Sequence, residues 1–336
     1  MKHINIPVFI PHLGCPNDCV FCNQRTISGC EQFDMATMDR DVRQTLSTVV
    51  RPCSVEIAFF GGSFTGIDRE LMIALLERAE QYVREGSVDC IRLSTRPDYI
   101  NEEVLEILSR YTVKTIELGL QSMDDKVLEA SRRGHTAEDG RRACALVKRY
   151  GFSLVGQMMV GLPESAETSE AMTAEALCDS GVDGVRVYPT VVFEDTELCR
   201  MAKQGSYQPL TLHEAVARTK SVLDVFRRRG VPCIRVGLCA SENLSSDRVY
   251  GGASHSAIGE LAMGEIFFEE MCRAMDKMGD VSGKKLAVYV SPGAVSRAVG
   301  QKRANLERIY KKYSPLRVKV LEKSELIGYN IIIDLI

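Results

Sequence analysis

The sequence predicts an α/β protein in which six parallel βα units build one large domain and a small α+β domain follows. Three observations carry this expectation. From the start to about residue 240, short apolar runs alternate with amphipathic segments, the pattern of strands and crossover helices around a parallel sheet. The 336 residues exceed what one core fills, since single cores stop growing near about 250–300 residues. Beyond residue 240 the alternation gives way to a polar, Gly-containing stretch and then to a compact basic unit.

In order, the expected strands are Ile4–Ile10, Val55–Phe60, Cys90–Ser94, Thr115–Leu120, Leu154–Val160 and Gly184–Pro189, with helical patterns such as Asp68–Arg84 and Asn101–Arg110 between them. An incomplete TIM-like barrel and an open doubly wound sheet both accommodate six such units. Either places chemistry at the carboxyl ends of the strands. The polar stretch Ala240–Ser256 precedes a helix over Ala257–Met278, so the expected organisation is a core domain at 1–240, a linker and helix at 241–280 and a basic α+β domain at 281–336. That last domain reads as a strand (Leu286–Val290), a short helix, the loop Gly300–Arg303, a helix to Tyr313, and strands around Leu316–Leu321 and Asn330–Leu335.

Composition excludes some function classes. With 45% apolar and 26% charged residues and no apolar stretch of bilayer length, membrane insertion is not expected. The amino terminus runs from a few apolar residues into Pro11, His12 and cysteines, without the succession of a signal peptide, which points to the cytosol. Twelve cysteines in that setting read as reduced thiols and metal ligands rather than a disulfide framework. Nine of them show no C-x-x-C pairing, as expected of small buried hydrophobes.

The other three, Cys15, Cys19 and Cys22, form C-x-x-x-C-x-x-C directly after the first strand. Three thiolates can hold three irons of a cubane cluster and leave the fourth iron open. Zinc is the alternative, with His12 in reach, but zinc favours four ligands in closer pairs.

The loop Gly14-Cys-Pro-Asn-Asp-Cys-Val-Phe-Cys-Asn-Gln24 resembles the cluster loop of the radical S-adenosylmethionine (SAM) superfamily. The resemblance implies a partial (β/α)6 TIM-like barrel, a [4Fe–4S] cluster on Cys15, Cys19 and Cys22, and SAM chelating the open iron before cleavage to a 5′-deoxyadenosyl radical. It also implies a one-electron donor such as flavodoxin or ferredoxin. Phe21 matches the aromatic that packs by the adenine, and Gly61, Gly62 and Ser63 of Phe60-Gly-Gly-Ser-Phe-Thr65 match the segment that meets the methionine amine. A plain core aromatic and an ordinary turn are the alternative readings.

Ser94-Thr-Arg-Pro-Asp-Tyr99, Glu117-Leu-Gly-Leu-Gln-Ser122, Arg132-Arg-Gly-His-Thr136, Gln157-Met-Met-Val-Gly-Leu-Pro163 and Tyr188-Pro-Thr190 resemble the radical SAM domain of the Elongator catalytic subunit. They are less like oxygen-independent coproporphyrinogen III oxidase. Gln121 is suited to the ribose hydroxyls, Arg133 to the SAM carboxylate, and Gln157 faces the same centre. Ser94 stands where the oxidase branch has an acidic SAM contact. Each of these polar residues could instead cap a helix or satisfy a loop. His135 is a candidate acid–base residue, and His255 a weaker one.

The Elongator enzyme modifies a wobble uridine in tRNA and carries an acetyltransferase domain, for which this sequence is too short and lacks the pyrophosphate loop. Its tail resembles a KH domain, whose G-x-x-G loop clamps a nucleic-acid backbone, with Arg303 in place of the last Gly. Ten basic residues between Val281 and Val320, against Glu307 alone, make Gly300, Lys302 and Arg303 candidate RNA contacts. The leading expectation is an Elongator-like radical SAM enzyme acting on RNA, with tRNA as the substrate class. One rival is a small-molecule enzyme resembling the coproporphyrinogen oxidases. The other is a non-enzymatic RNA-binding protein whose cluster is structural or senses redox state.

Overall fold

Alternating apolar runs and capped amphipathic helices give the molecule its order. The computed structural model describes residues 2–10, 15, 19–22, 34–238 and 248–336. Gly14, Pro16, Asn17, Asp18, Asn23 and Gln24 of the cysteine loop, together with His12, Cys30, Cys239 and the expected boundary at residue 240, lie outside the described residues.

The chain divides into two compact units, Met1–Leu210 with Val225–Ala253 and Thr211–Asp224 with Ser254–Ile336. The first contains strands β1 (Lys2–Phe9), β2 (Cys53–Phe60), β3 (Cys90–Thr95), β4 (Val113–Gln121), β5 (Ser153–Val160), β6 (Gly184–Pro189) and β8 (Cys233–Val236). They form one sheet in the order β1-β2-β3-β4-β5-β6-β8, with every neighbouring pair parallel. A doubly wound sheet reverses its strand order part-way. This one never reverses, so it is an opened barrel rather than the doubly wound alternative. The strand β8 was not among the six expected because its four residues include Arg235 and follow Pro232, leaving too short an apolar run to read. A separate antiparallel ribbon joins β7 (Val191–Phe193) to β9 (Val249–Gly252).

Helices α1 (Met35–Ser47), α2 (Arg69–Arg84), α3 (Glu102–Leu108), α4 (Asp125–Ala130), α5 (Ala137–Arg149) and α6 (Glu167–Asp179) alternate with the strands, and α7 (Glu197–Lys203) precedes α8 (Leu212–Arg228). Their starts are legible in chemistry. Asp68 and Asn101 accept from backbone N–H groups of the first turns of α2 and α3, and Thr136 with Asp139 closes a capping box on α5. The apolar faces of these helices supply Leu75, Leu76, Leu105, Leu108, Val147 and Leu177 to the core.

In the second unit β10 (Lys285–Val290) lies between β11 (Arg317–Glu322), parallel to it, and β12 (Ile332–Leu335), antiparallel to it. Helices α10 (Val295–Val299) and α11 (Ala304–Tyr313) link β10 to β11. The segment expected as linker and helix contains α9 (Ile258–Met278), which contributes Phe267, Met271 and Met275 to a core with Leu286, Val288 and Ile309. This is the small α+β domain expected after the barrel. Among the described residues no helix is long and apolar enough to cross a membrane.

Candidate functional site at the carboxyl edge of the barrel sheet

Backbone bonds tie the described residues before and within the cysteine segment to neighbouring elements. The Ile10 N–H donates to the Phe60 carbonyl at 2.7 Å, extending β1 beside β2 up to the loop. Further on, Val20 N–H donates to Ser131 O at 3.2 Å, and Leu198 N–H at the start of α7 donates to Val20 O at 2.7 Å. Phe21 packs, partly buried, against Val20, Val192, Leu198, Cys199 and Tyr207. After β2, Gly61 takes φ +95°, and a Cβ there would stand 3.3 Å from Ile10 N, so only glycine lets the two strand ends approach. Gly62, Ser63 and Ser94 line a small cleft with Ile10 and Phe60. Thr65 is fixed beneath it by Oγ1 contacts of 2.6 Å to Thr95 Oγ1 and 3.0 Å to the Tyr99 carbonyl.

Two guanidinium groups converge on Cys19, which is buried. Arg133, also buried, donates through Nη1 to Cys19 Sγ at 3.2 Å and through Nη2 to the Gly119 carbonyl at 2.6 Å. Arg96 reaches the same sulfur at 3.9 Å, grips the Asp98 carboxylate with Nε and Nη2 at 3.0 Å each, and donates to the Arg133 carbonyl. Burial works against the Arg96 charge, but Asp98, Cys15 and Cys19 more than offset it. At the end of β4, Gln121 accepts from Gln157 Nε2 at 2.8 Å, joining two expected site residues. His135 is buried nearby, and burial followed by the charges of Arg133 and Arg96 pushes its imidazole down to about 4. It is therefore neutral near pH 7, a form with one donor and one acceptor nitrogen.

A row of charges crosses the sheet on one face. Arg92 on β3 donates to Glu56 on β2 at 2.6 Å and to Glu117 on β4 at 2.8 Å, and Arg186 on β6 meets Glu117 at 2.9 Å. Arg186 also contacts the Tyr188 hydroxyl at 3.3 Å, and Ser94 donates to Glu117 at 3.5 Å. Burial pushes the Tyr188 hydroxyl up. Sequence reasoning singled out none of Glu56, Arg92, Arg96, Glu117 and Arg186 as site residues. The signal available was a charged residue inside an apolar strand of a sheet covered by helices, where an uncompensated charge is costly.

With that geometry in place, the relatives are informative. The model of the radical SAM superfamily matches residues 9–176, and the Radical_SAM C-terminal domain model matches residues 182–266. The chain belongs to the radical SAM superfamily. It is similar to a tRNA uridine(34) acetyltransferase of Methanocaldococcus jannaschii, 31% identical over 205 residues, 55% of this chain and 38% of that one. It is also similar to a protein of that organism provisionally named a methylthiotransferase, 27% identical over 234 residues, 63% of this chain and 51% of that one. The chain thus spans about half or less of the length of these relatives. Among solved structures, the archaeal Elp3 of Methanocaldococcus infernus superposes with a TM-score of 0.61 at 21% identity, covering 83% of this chain and 63% of that one. The radical SAM domain here is related to the Elongator family.

Membership in the radical SAM superfamily implies use of SAM and a [4Fe–4S] cluster, and the cysteine loop can be tested against that requirement. Among the described residues no three His, Cys, Asp or Glu side chains stand close enough to hold one metal ion. The donor chemistry nevertheless fits. Cys15, Cys19 and Cys22 offer three sulfur donors, Cys22 N–H turns back on Cys19 O at 2.9 Å, and the two guanidiniums at Cys19 complement an anionic thiolate cluster. Elsewhere burial pushes the thiols of Cys144 and Cys233 up to about 11, and burial with Glu56 does the same to Cys90. Cys90 and Cys144 are buried, as expected of small hydrophobes, and Cys233 is half-buried.

In the second unit Gly300 takes φ +79° and ψ 157°, and Lys302 and Arg303 follow in left-handed conformations at the start of α11. His255 accepts from Ala257 N–H at 3.1 Å, beside the first turn of α9.

Proposed function

We propose that this radical SAM protein holds a [4Fe–4S] cluster on Cys15, Cys19 and Cys22, cleaves SAM reductively, and directs that chemistry to RNA, with tRNA as the substrate class. The observation that supports this most is the convergence of Arg133 and Arg96, the latter also paired with Asp98, on Cys19 Sγ, because guanidinium groups beside that sulfur complement an anionic thiolate-bound cluster. When bound, that group supplies one-electron reduction of the SAM sulfonium. The residues around it hold and orient. Arg133 and Arg96 balance charge, Ser63, Ser94, Gln121 and Gln157 offer hydrogen bonds to a polar ligand, and Phe21 gives an apolar wall. His135 contacts the bound ligand as a neutral imidazole. Gly300, Lys302 and Arg303 form a KH-like backbone contact for RNA. A cytosolic setting and a donor such as flavodoxin or ferredoxin belong to the same proposal.

The tRNA assignment draws on the relatives, one of them a tRNA uridine(34) acetyltransferase. Anaerobic reconstitution tests the cluster, with about four irons bound per chain and loss of that iron in Cys19→Ala. Mass spectrometry of tRNA nucleosides from cells with and without the protein tests the substrate. A missing modified nucleoside in the deletion strain supports the reading. Unchanged tRNA alongside SAM cleavage to methionine and 5′-deoxyadenosine would favour a small-molecule enzyme instead.

A further inference from the structure

The sheet of the second unit has two unlike faces. Leu286, Val288 and Val290 of the central strand β10 and Val318 of β11 are buried in the core. Alternation therefore turns Lys285, Ala287 and Tyr289 to the opposite side. The register places Lys285 opposite Arg317, Ala287 opposite Lys319 and Tyr289 opposite Leu321, while on the other edge Tyr289 faces Ile332 and Ala287 faces Asp334. The outward face thus carries one aromatic ring at its centre, flanked by Leu321 and Ile332, which are 42% and 37% exposed, and a row of three cations beside it. Lys323 adds a fourth cation, its Nζ 5.6 Å from the Tyr289 ring centre.

The charges of this face differ from the other cations of the unit. Arg297 is paired with Glu260 at 2.9 Å and Arg308 with Glu265 at 2.6 Å, so part of the basic character legible in the sequence is neutralised by α9. Lys285, Arg317 and Lys319 make no ion pair among the described residues. Asp334 is the one acid at an outward position, and the Glu322 carboxylate accepts from Gly293 N–H at 2.9 Å. An apolar protein partner would leave three like charges uncompensated on its rim. Single-stranded RNA offers both complements, a π face for the ring and phosphates for the cations.

We propose that the outward face of this sheet is an RNA-binding platform, a base stacking on Tyr289 while Lys285, Arg317 and Lys319 hold the flanking phosphates. The inference rests on the RNA reading above and moves the principal contact from the Gly300–Arg303 loop to the sheet. The test is a fluorescence anisotropy titration of the full chain with a short labelled oligouridylate at two salt concentrations. Tyr289→Ala should weaken binding about tenfold, Tyr289→Phe should bind like the parent, and Lys319→Ser should lower the salt slope by about one. Lys319 is exposed, so its variant keeps the fold if Tyr289→Ala does not. Parent-like binding by Tyr289→Ala and Lys319→Ser, with loss in Lys302→Glu/Arg303→Glu, overturns the platform and leaves the RNA reading standing. No binding by the parent overturns both. A concentration-dependent dimer that Leu321→Lys dissolves would assign the face to a second copy of this chain and overturn the proposal.

Discussion

The two sheets of this protein treat positive charge in opposite ways. In the barrel sheet Arg92 and Arg186 are nearly enclosed, with side chains 12% and 13% exposed, and Glu56 and Glu117 stand between and beside them at 2.6–2.9 Å. In the second unit Lys285, Arg317 and Lys319 share an open face without a carboxylate partner among the described residues. A buried cation has to be matched within its own fold, because desolvation exceeds what a single contact returns. An exposed one is matched by water, so its clustering is free to serve a partner. Arg96 and Arg133 form a third case. They are buried like the first pair and Arg96 is matched by Asp98, but both also reach the sulfur of Cys19.

The sharpest way to break the comparison is to remove a matched anion. Glu117→Ala leaves Arg92 and Arg186 facing one another without their shared carboxylate, and the expected loss is on the order of 3–5 kcal/mol in denaturant unfolding of the full chain. A loss below about 1 kcal/mol, as for a surface pair, would erase the distinction. The next effect is one of pH. His135 sits in the positive field of Arg133 and Arg96, with its folded-state value pushed from 6.5 to about 4, by burial first. Above pH 6.5 both folded and unfolded states are neutral and the residue contributes nothing. As pH falls from 6.5 toward 4 the unfolded chain takes up a proton that the folded chain refuses, so stability is lost across that window, by roughly 3 kcal/mol. His135→Gln should flatten that acid limb, as read from unfolding curves of the metal-free protein between pH 7 and pH 4.5. Identical limbs in parent and variant would place the imidazole in a wetter setting.

Much of the barrel was legible because its signals are local. The apolar runs that became β2 to β6 are each bounded by turn residues, and the caps Asp68, Asn101 and Thr136 sit where helix starts are written in side-chain chemistry. The strand β8 was not legible, since its placement depends on pairing with β6 and not on its own composition. The same holds for the site. Gln121 ends β4 and could be named from position, whereas Gln157, expected at a strand end, lies within β5, and the structure joins the two by a hydrogen bond. Arg96 lies within a quoted motif, but its grip on Asp98 and its approach to Cys19 depend on residues distant in sequence. The basic tail was read as ten cations against one acid, and the count alone could not reveal that Glu260 and Glu265 of the preceding helix neutralise two of them.

A third prediction concerns the turn that starts α11. Gly300→Ala forces a side chain onto φ +79°, with its Cβ 2.8 Å from the backbone nitrogen of Asn305. Such a position costs about 1–3 kcal/mol. Hydrogen exchange should register it as faster opening of α10 and α11, while the amides of the barrel strands exchange as in the parent. Uniform acceleration across both units would mean that they do not open separately.

The smallest effect tests the open face without any ligand. Lys285 and Arg317 are in register and Lys319 follows on the same side of β11, so the three repel one another across adjacent strands. Salt screens that repulsion, and the second unit should therefore gain stability between low and physiological ionic strength, by a few tenths of a kcal/mol. Lys319→Ser removes the member of the row next to both Ala287 and Arg317. Its stability should equal or slightly exceed the parent's at low salt, within about 0.5 kcal/mol, and its salt dependence should be shallower. Salt has the opposite sign for a matched pair, whose attraction it weakens. A low-salt loss in Lys319→Ser would reveal a hidden carboxylate partner, and the outward row would then belong with the enclosed charges of the barrel. A low-salt gain that disappears as ionic strength rises would show that these cations cost the fold something when no polyanion is bound.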